Sequence, residues 1–218
     1  KNKKLLEAIE SGDVDSASSL LEGFNKLNET FTKPDNEAVE DWTYLLHSCK
    51  FGNLELVELL LQSGADLDVA DSDGKFPLYW AACNDDDDEA AMICETLIKK
   101  GVEINQQSEN GQTALMRAAF GKNATLKVLL DAGADPNLLG EESSALMFAA
   151  TSDNVQSLEV LLNAGANPNL QEDRGVSALY LAASKSAEAV KLLLDHNADP
   201  NIEIMHHKTT PLFEAAND

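Results

Sequence analysis

The residues of this chain whose types could do chemistry are few and scattered. Cys49, Cys83 and Cys94 make an odd count with no Cys-x-x-Cys spacing, so they read as reduced thiols rather than as a disulfide or zinc framework. None has a histidine in sequence register to activate it as a nucleophile. The four histidines, His47, His196, His206 and His207, lack Cys or acidic partners at metal-ligand spacing, and no metal site is expected. The sequence contains no Gly-x-Ser-x-Gly, no His-Glu-x-x-His, no P-loop and no Gly-x-Gly-x-x-Gly. The expectation is therefore no catalytic residue and no cofactor.

Acid is the one chemical type in excess. The 218 residues carry 16 Lys+Arg against 38 Asp+Glu, a net charge of -22. That field repels phosphate backbones and anionic headgroups, so nucleic acid is not expected as a partner, nor is a membrane surface. A charged partner would be basic. The densest run is Asn84-Asp85-Asp86-Asp87-Asp88-Glu89. As a calcium loop it fails, for want of alternating ligands and a turn glycine. Asp71-Ser72-Asp73-Gly74 begins like one, but Lys75 and Ala82 stand where oxygen ligands are required. Two readings stay open for the run: a solvated loop, or a negative rim that attracts a Lys/Arg-rich segment.

The 44% hydrophobic content is enough for a folded core. The longest apolar runs, such as Ala145–Ala150, are six residues, against the roughly 18 of a membrane span, so no membrane insertion is expected. With no secretory signal and reduced thiols, the expectation is an intracellular protein, cytoplasmic or nuclear.

The elements that would position these residues repeat. Leu45, Leu78, Leu115, Leu146, Leu179 and Leu212 follow one another at steps of 33, 37, 31, 33 and 33. The text around them recurs, as in Thr113-Ala114-Leu115-Met116-Arg117-Ala118-Ala119 and Ser177-Ala178-Leu179-Tyr180-Leu181-Ala182-Ala183. Thr43, Thr113, Ser144, Ser177 and Thr210 stand as helix N-caps, and Pro77 and Pro211 fit a first helical position. The Ala-Ala pair keeps this first helix thin. A second helix, with Leu54, Val57, Leu60 and Leu61 at helical spacing, ends at Gly64, and its counterparts end at Gly101, Gly133, Gly165 and Asn197. Asp-Pro-Asn or Asn-Pro-Asn then turns the chain into a finger tipped by Gly74, Gly111 and Gly175.

A 33-residue period with this text resembles the ankyrin repeat, and the resemblance covers nearly the whole chain. It implies an all-α solenoid of stacked helix–turn–helix units joined by β-turn or hairpin fingers. The expected organisation is a single array over residues 1–218. Its repeats fall at 3–37 (capping), 38–70, 71–107, 108–138, 139–171, 172–204 and a truncated 205–218, which suggests a piece of something longer. Two insertions interrupt the period: about seven residues within 24–41 and four at 84–89, the latter between the helices of its repeat. The histidine that the family usually places after the repeat leucine is replaced by Leu46, Tyr79, Met116, Met147, Tyr180 and Phe213, which read as core.

Family members generally bind partner proteins along a groove lined by fingers and inner helices. By the resemblance, the residue two after each leucine faces it (His47, Trp80, Arg117, Phe148, Leu181, Glu214), as does the residue five after (Lys50, Cys83, Phe120, Thr151, Ser184, Asn217). Trp80, Arg117, Phe120 and Phe148, with Trp42 just before an N-cap, have the composition of an interaction hot spot; for Trp80 and Phe148 a second reading stays open, that they pack between adjacent inner helices and meet no ligand. A partner peptide is expected over them, its basic residues meeting a rim of Asp73, Asp85, Asp86, Asp87, Asp88 and Glu109. Some family members read methylated lysine with a tryptophan at this place, an arrangement Trp80 resembles. The function expected is a protein–protein interaction module whose partner is a protein or peptide with Lys/Arg. The alternative is a targeting or regulatory segment of a larger enzyme or effector.

Overall fold

The computed structural model describes residues 2–31, 42–51, 53–141, 143–152, 154–204 and 210–211. Two compact units result, residues 1–109 and 110–218, each a two-layer stack of helical pairs. In the first, α1 (Asn2–Ser11), α3 (Tyr44–Phe51) and α5 (Pro77–Ala81) form one layer, and α2 (Val14–Leu21), α4 (Leu54–Gln62) and α6 (Asp87–Lys99) the other. In the second, α7 (Ala114–Ala118), α9 (Ala145–Thr151) and α11 (Ala178–Ala183) pack beside α8 (Asn123–Asp131), α10 (Val155–Asn163) and α12 (Ala187–Asp195). There is no β-strand among the described residues; isolated antiparallel bridges at Phe31–Trp42, Leu139–Ser144 and Gln171–Ser177 close the fingers.

The local causes are those the residue types dictate. Thr113, Ser144 and Ser177 accept the amides of Met116, Met147 and Tyr180, and Thr43 Oγ1 accepts that of Leu46. Phe76 precedes α5 and offers no capping oxygen, but Pro77 holds the first helical position. Ala81, Ala82, Ala118, Ala119, Ala149, Ala150 and Ala182 are at most 1% exposed, which lets neighbouring inner helices approach. The outer helices stop at glycines with φ of 91, 93, 94 and 89° (Gly64, Gly101, Gly133, Gly165) and at Asn197 with φ 65°. The residues after the leucine divide: Leu46, Met116 and Met147 are core, while Tyr79 and Tyr180 are half-buried.

At the insertion the structure departs from the expected loop. The acidic run belongs largely to α6, which has 13 residues where α4, α8, α10 and α12 have nine. Asp86 is its N-cap, accepting the amides of Asp88 and Glu89, and Asp87, Asp88 and Glu89 form the first turn. Carboxylates at a helix N-terminus satisfy orphan amides and complement the positive end of the dipole, so consecutive acids can extend a helix here. The earlier insertion begins as the base of a finger. Phe24 and Phe31 lie against Tyr44 at 5.8 and 4.9 Å, and Phe31 and Trp42 exchange backbone hydrogen bonds of 2.8 and 3.3 Å. Residues 32–41, 205–209 and 212–218, with Leu212, Phe213, Glu214, Asn217, His206 and His207, lie outside the described residues.

Candidate functional site

The groove-facing positions meet diagonally. In each unit one residue five after a repeat leucine lies against the residue two after the next. In the first unit Lys50 Nζ sits 4.5 Å from the ring centre of Trp80. In the second, Phe120 lies 4.7 Å from Phe148 at a 44° tilt.

The first cluster is mostly sealed. Trp42 and Trp80, 3% and 7% exposed, contact each other at 4.5 Å, so both lie within the stack, Trp80 in the packed one of its two readings. The indole Nε1 of Trp80 donates to Asp71 Oδ2 at 2.9 Å. Asp71 also accepts the amides of Asp73 and Lys75, so one carboxylate ties the finger turn to the inner-helix ring. Lys50 Nζ lies 5.3 Å from the Trp42 ring and 4.7 Å from Phe51, and Lys75 Nζ 5.5 Å from Trp80 and 5.7 Å from Tyr79. The faces that would receive a methylated lysine thus already carry the chain's own ammonium groups. Phe51 alone among these rings is well exposed, at 53%. His47, expected in the groove row, is buried among Phe31, Trp42 and Phe51, its Nε2 3.5 Å from Glu10 Oε1.

The second cluster is open. Phe120 is 42% exposed, Arg117 is exposed and Phe148 is half-buried. The Arg117 guanidinium lies 5.4 Å from the Phe120 ring centre. Phe148 forms one wall of a cleft lined by Asn110, Gln112, Gly140, Glu141 and Ser143, residues of two successive fingers. Those fingers are joined by the Glu141 amide donating to the Asn110 carbonyl at 3.1 Å.

The acidic residues divide in their duties. Asp73 accepts from Lys75 Nζ at 2.7 Å, and the amide of Glu109 donates to the Asp73 carbonyl. Asp85, Asp86 and Asp88 are exposed and Asp87 half-buried, while Glu89 Oε1 accepts the first amide of α4. Asp71 and Glu172 occupy the same repeat position, seven before the leucine. Glu172 accepts the amides of Arg174 and Val176 and the Arg174 Nε at 3.1 Å. Burial pushes its carboxyl up, but the Val176 amide and the Arg174 guanidinium and amide outweigh this and hold it below the usual carboxylate range. Burial pushes the Cys49 and Cys94 thiols well up, so neither is a ready nucleophile. No group of three or more His, Cys, Asp or Glu among the described residues is placed to hold a metal ion, and none of the described helices is long and apolar enough to cross a membrane.

Two features escaped the residue-type reading. Phe51 was not among the groove positions, although it follows Lys50 directly. The second is a ladder of asparagines. Asn137 donates to the Gly165 carbonyl and accepts the Asn167 amide; Asn169 does the same with Asn197 and Asp199, and Asn28 with Gly64 and Asp66. The recurrence of Asn at the end of Asp-Pro-Asn and Asn-Pro-Asn was its signal.

Known proteins fit this architecture. A family model described as Ankyrin repeats (3 copies) matches residues 5–108 and 146–218, and the Ankyrin repeat model matches residues 110–141. Protein fem-1 homolog C from Homo sapiens is 39% identical over 66 residues, 30% of this chain and 10% of its own length. Ankyrin repeat domain-containing protein 63 from Homo sapiens is 32% identical over 77 residues, 35% of this chain and 20% of its own. The chain thus spans a tenth to a fifth of the length of these curated relatives. Among solved structures, the ankyrin repeat domain of Bcl-3, titled a unique member of the IkappaB protein family, superposes with a TM-score of 0.77 at 23% identity. That superposition covers 97% of this chain and 93% of the other, and it shows the fold. With family models over most of its length and helical pairs stacked at the repeat period, the chain belongs to the ankyrin repeat family.

Proposed function

We propose that this chain is a protein–protein interaction module that grips a partner peptide or protein surface along its inner-helix and finger face. The proposal takes residues 1–218 as one repeat array. The observation that carries it is the open cluster of Arg117, Phe120 and Phe148 beside a cleft of finger residues. An exposed aromatic pair with an arginine over one ring offers a large rigid contact at little entropic cost, the makeup of an anchoring site. Asn110, Gln112 and Ser143 supply donors and acceptors along the wall, suited to an extended backbone. Basic residues of the partner would meet the exposed carboxylates Asp85, Asp86 and Asp88, with Asp73 and Glu109, and the net charge of -22 would draw them in.

The test is capture of the partner by the immobilised chain. Phe120→Ala and Arg117→Ala should each abolish capture while the melting temperature moves by only a few degrees. Capture that survives both substitutions rejects the site. Salt decides the charge: weakening between low and physiological ionic strength supports a cationic ligand, and indifference rejects it. The lengths of the fem-1 relatives favour a second reading of purpose, in which the same recognition targets or regulates a larger enzyme or effector.

A further inference from the structure

We infer that Lys50, seated over Trp42, Phe51 and Trp80, is the docking point for an acidic side chain of a partner segment, with Phe51 supplying the adjoining apolar contact. This rests on the reading of the chain as an interaction module, but it concerns a different patch and the opposite sign of charge.

Aromatic-lined recesses in a strongly acidic chain suggest a trap for a partner's cation. Here the recess is occupied. Lys50 Nζ lies 4.5–5.3 Å from three ring centres, and Lys75 Nζ comes within 5.5 Å of Trp80 as well. A second cation arriving there would meet two like charges and no free ring face. Two described carboxylates beside the rings are committed: Asp71 holds the Trp80 indole and two amides, and Asp73 pairs with Lys75. Lys50 is left in a different state, for it forms no ion pair among the described residues. The rings hold its half-buried ammonium by their faces, and an ammonium has three N–H donors with which to meet a carboxylate. Beside it stands Phe51, 53% exposed. A fixed cation bordered by an exposed ring complements a carboxylate next to an aliphatic or aromatic side chain. Acids farther off than about 8 Å, the screening length at 0.15 M salt, weigh little on such a ligand.

The experiment uses the 218-residue chain and two fluorescein-labelled decapeptides, one of alternating Glu and Leu, the other of alternating Lys and Leu. Trp42 and Trp80 are the only two tryptophans, so indole emission reports this patch and nothing else. The Glu–Leu peptide should bind by anisotropy and shift the indole emission, and binding should weaken as salt rises. Lys50→Met and Lys50→Gln should each lower its affinity at least tenfold, Lys50→Arg should retain it, and Lys127→Met, at an exposed lysine outside both clusters, should leave it unchanged. No binding of the Glu–Leu peptide, an equal or larger indole response to the Lys–Leu peptide, or undiminished affinity in the two neutral variants overturns the assignment. Capture of the partner lost in Phe120→Ala but kept in Lys50→Met would leave the groove reading standing and remove this one.

Discussion

The diagonal contact between successive inner helices is built twice with opposite results. In the first unit its partners are Lys50 and Trp80, and the indole is fixed from below by Asp71, so the ring disappears into the stack. In the second the partners are Phe120 and Phe148, and Phe120 keeps 42% of its surface in solvent. A ring with a polar handle can be anchored to a buried carboxylate, whereas phenylalanine has no such tether and must rely on stacking. The same diagonal contact is therefore sealed in one unit and leaves a ring in solvent in the other.

Substitutions at the two rings test that contrast most severely. Trp80→Ala removes a buried indole, empties the contact with Trp42 and strands one Asp71 oxygen; it should cost about 3–5 kcal/mol in urea unfolding. A loss below about 1 kcal/mol would mean the ring is not part of the core. Trp80→Phe isolates the tether, keeping the ring while losing the Nε1 bond, and should cost about 1–2 kcal/mol.

The finger carboxylates sharpen the comparison. Asp71 and Glu172 each bind two amides of their own turn, but the third bond goes to Trp80 in one case and Arg174 in the other. Glu172 is held below the ordinary glutamate value of 4.5 in the folded chain. Its contribution is therefore present above the unfolded value and is lost as pH falls through the lower folded value. Wild-type stability should drop on acidification through that window, and Glu172→Gln should flatten the drop while being less stable at pH 7. Parallel pH profiles for the two proteins would show that the carboxylate is not the organiser of its finger.

Ser48 offers a change in the opposite direction. It stands where later repeats have the first alanine of the Ala-Ala pair, is fully buried, and its Oγ has no hydrogen-bond partner among the described residues. Ser48→Ala removes a desolvated hydroxyl and should stabilise the chain by about 1 kcal/mol. Unchanged or lowered stability would reveal an unrecognised partner for the hydroxyl.

Much of the fold was legible because its signals are local. Period, caps, the Ala-Ala pair and the Gly or Asn helix stops each act within a few residues, and each appears where its type demands. Two things were not legible. Asp85 to Glu89 reads as a loop by charge alone, since only the registration of Asp86 against the following amides makes it a helix start. For Trp80 position alone leaves the groove and packed readings open, since its burial follows from the Asp71 tether within its own repeat and from Trp42 in the neighbouring one, side-chain contacts that the repeat spacing does not encode. Phe120 and Arg117 fall in the open at the positions the pattern gave them, for no described residue of their own unit covers them.

The smallest expected effect bears on that last point. Phe120→Ala gives up a ring already 42% exposed and one tilted stacking contact with Phe148. Stacked aromatic pairs contribute roughly 0.5–1.5 kcal/mol beyond area, and half-exposed rings fall at the low end, so stability should fall by no more than about 1 kcal/mol. Against the several kcal/mol expected for Trp80→Ala, this is a clean separation of roles at matched repeat contacts. A loss at Phe120 equal to that at Trp80 would mean the second cluster is as structural as the first. The open ring would then be a consequence of packing, and recognition would have to lie elsewhere on the finger face.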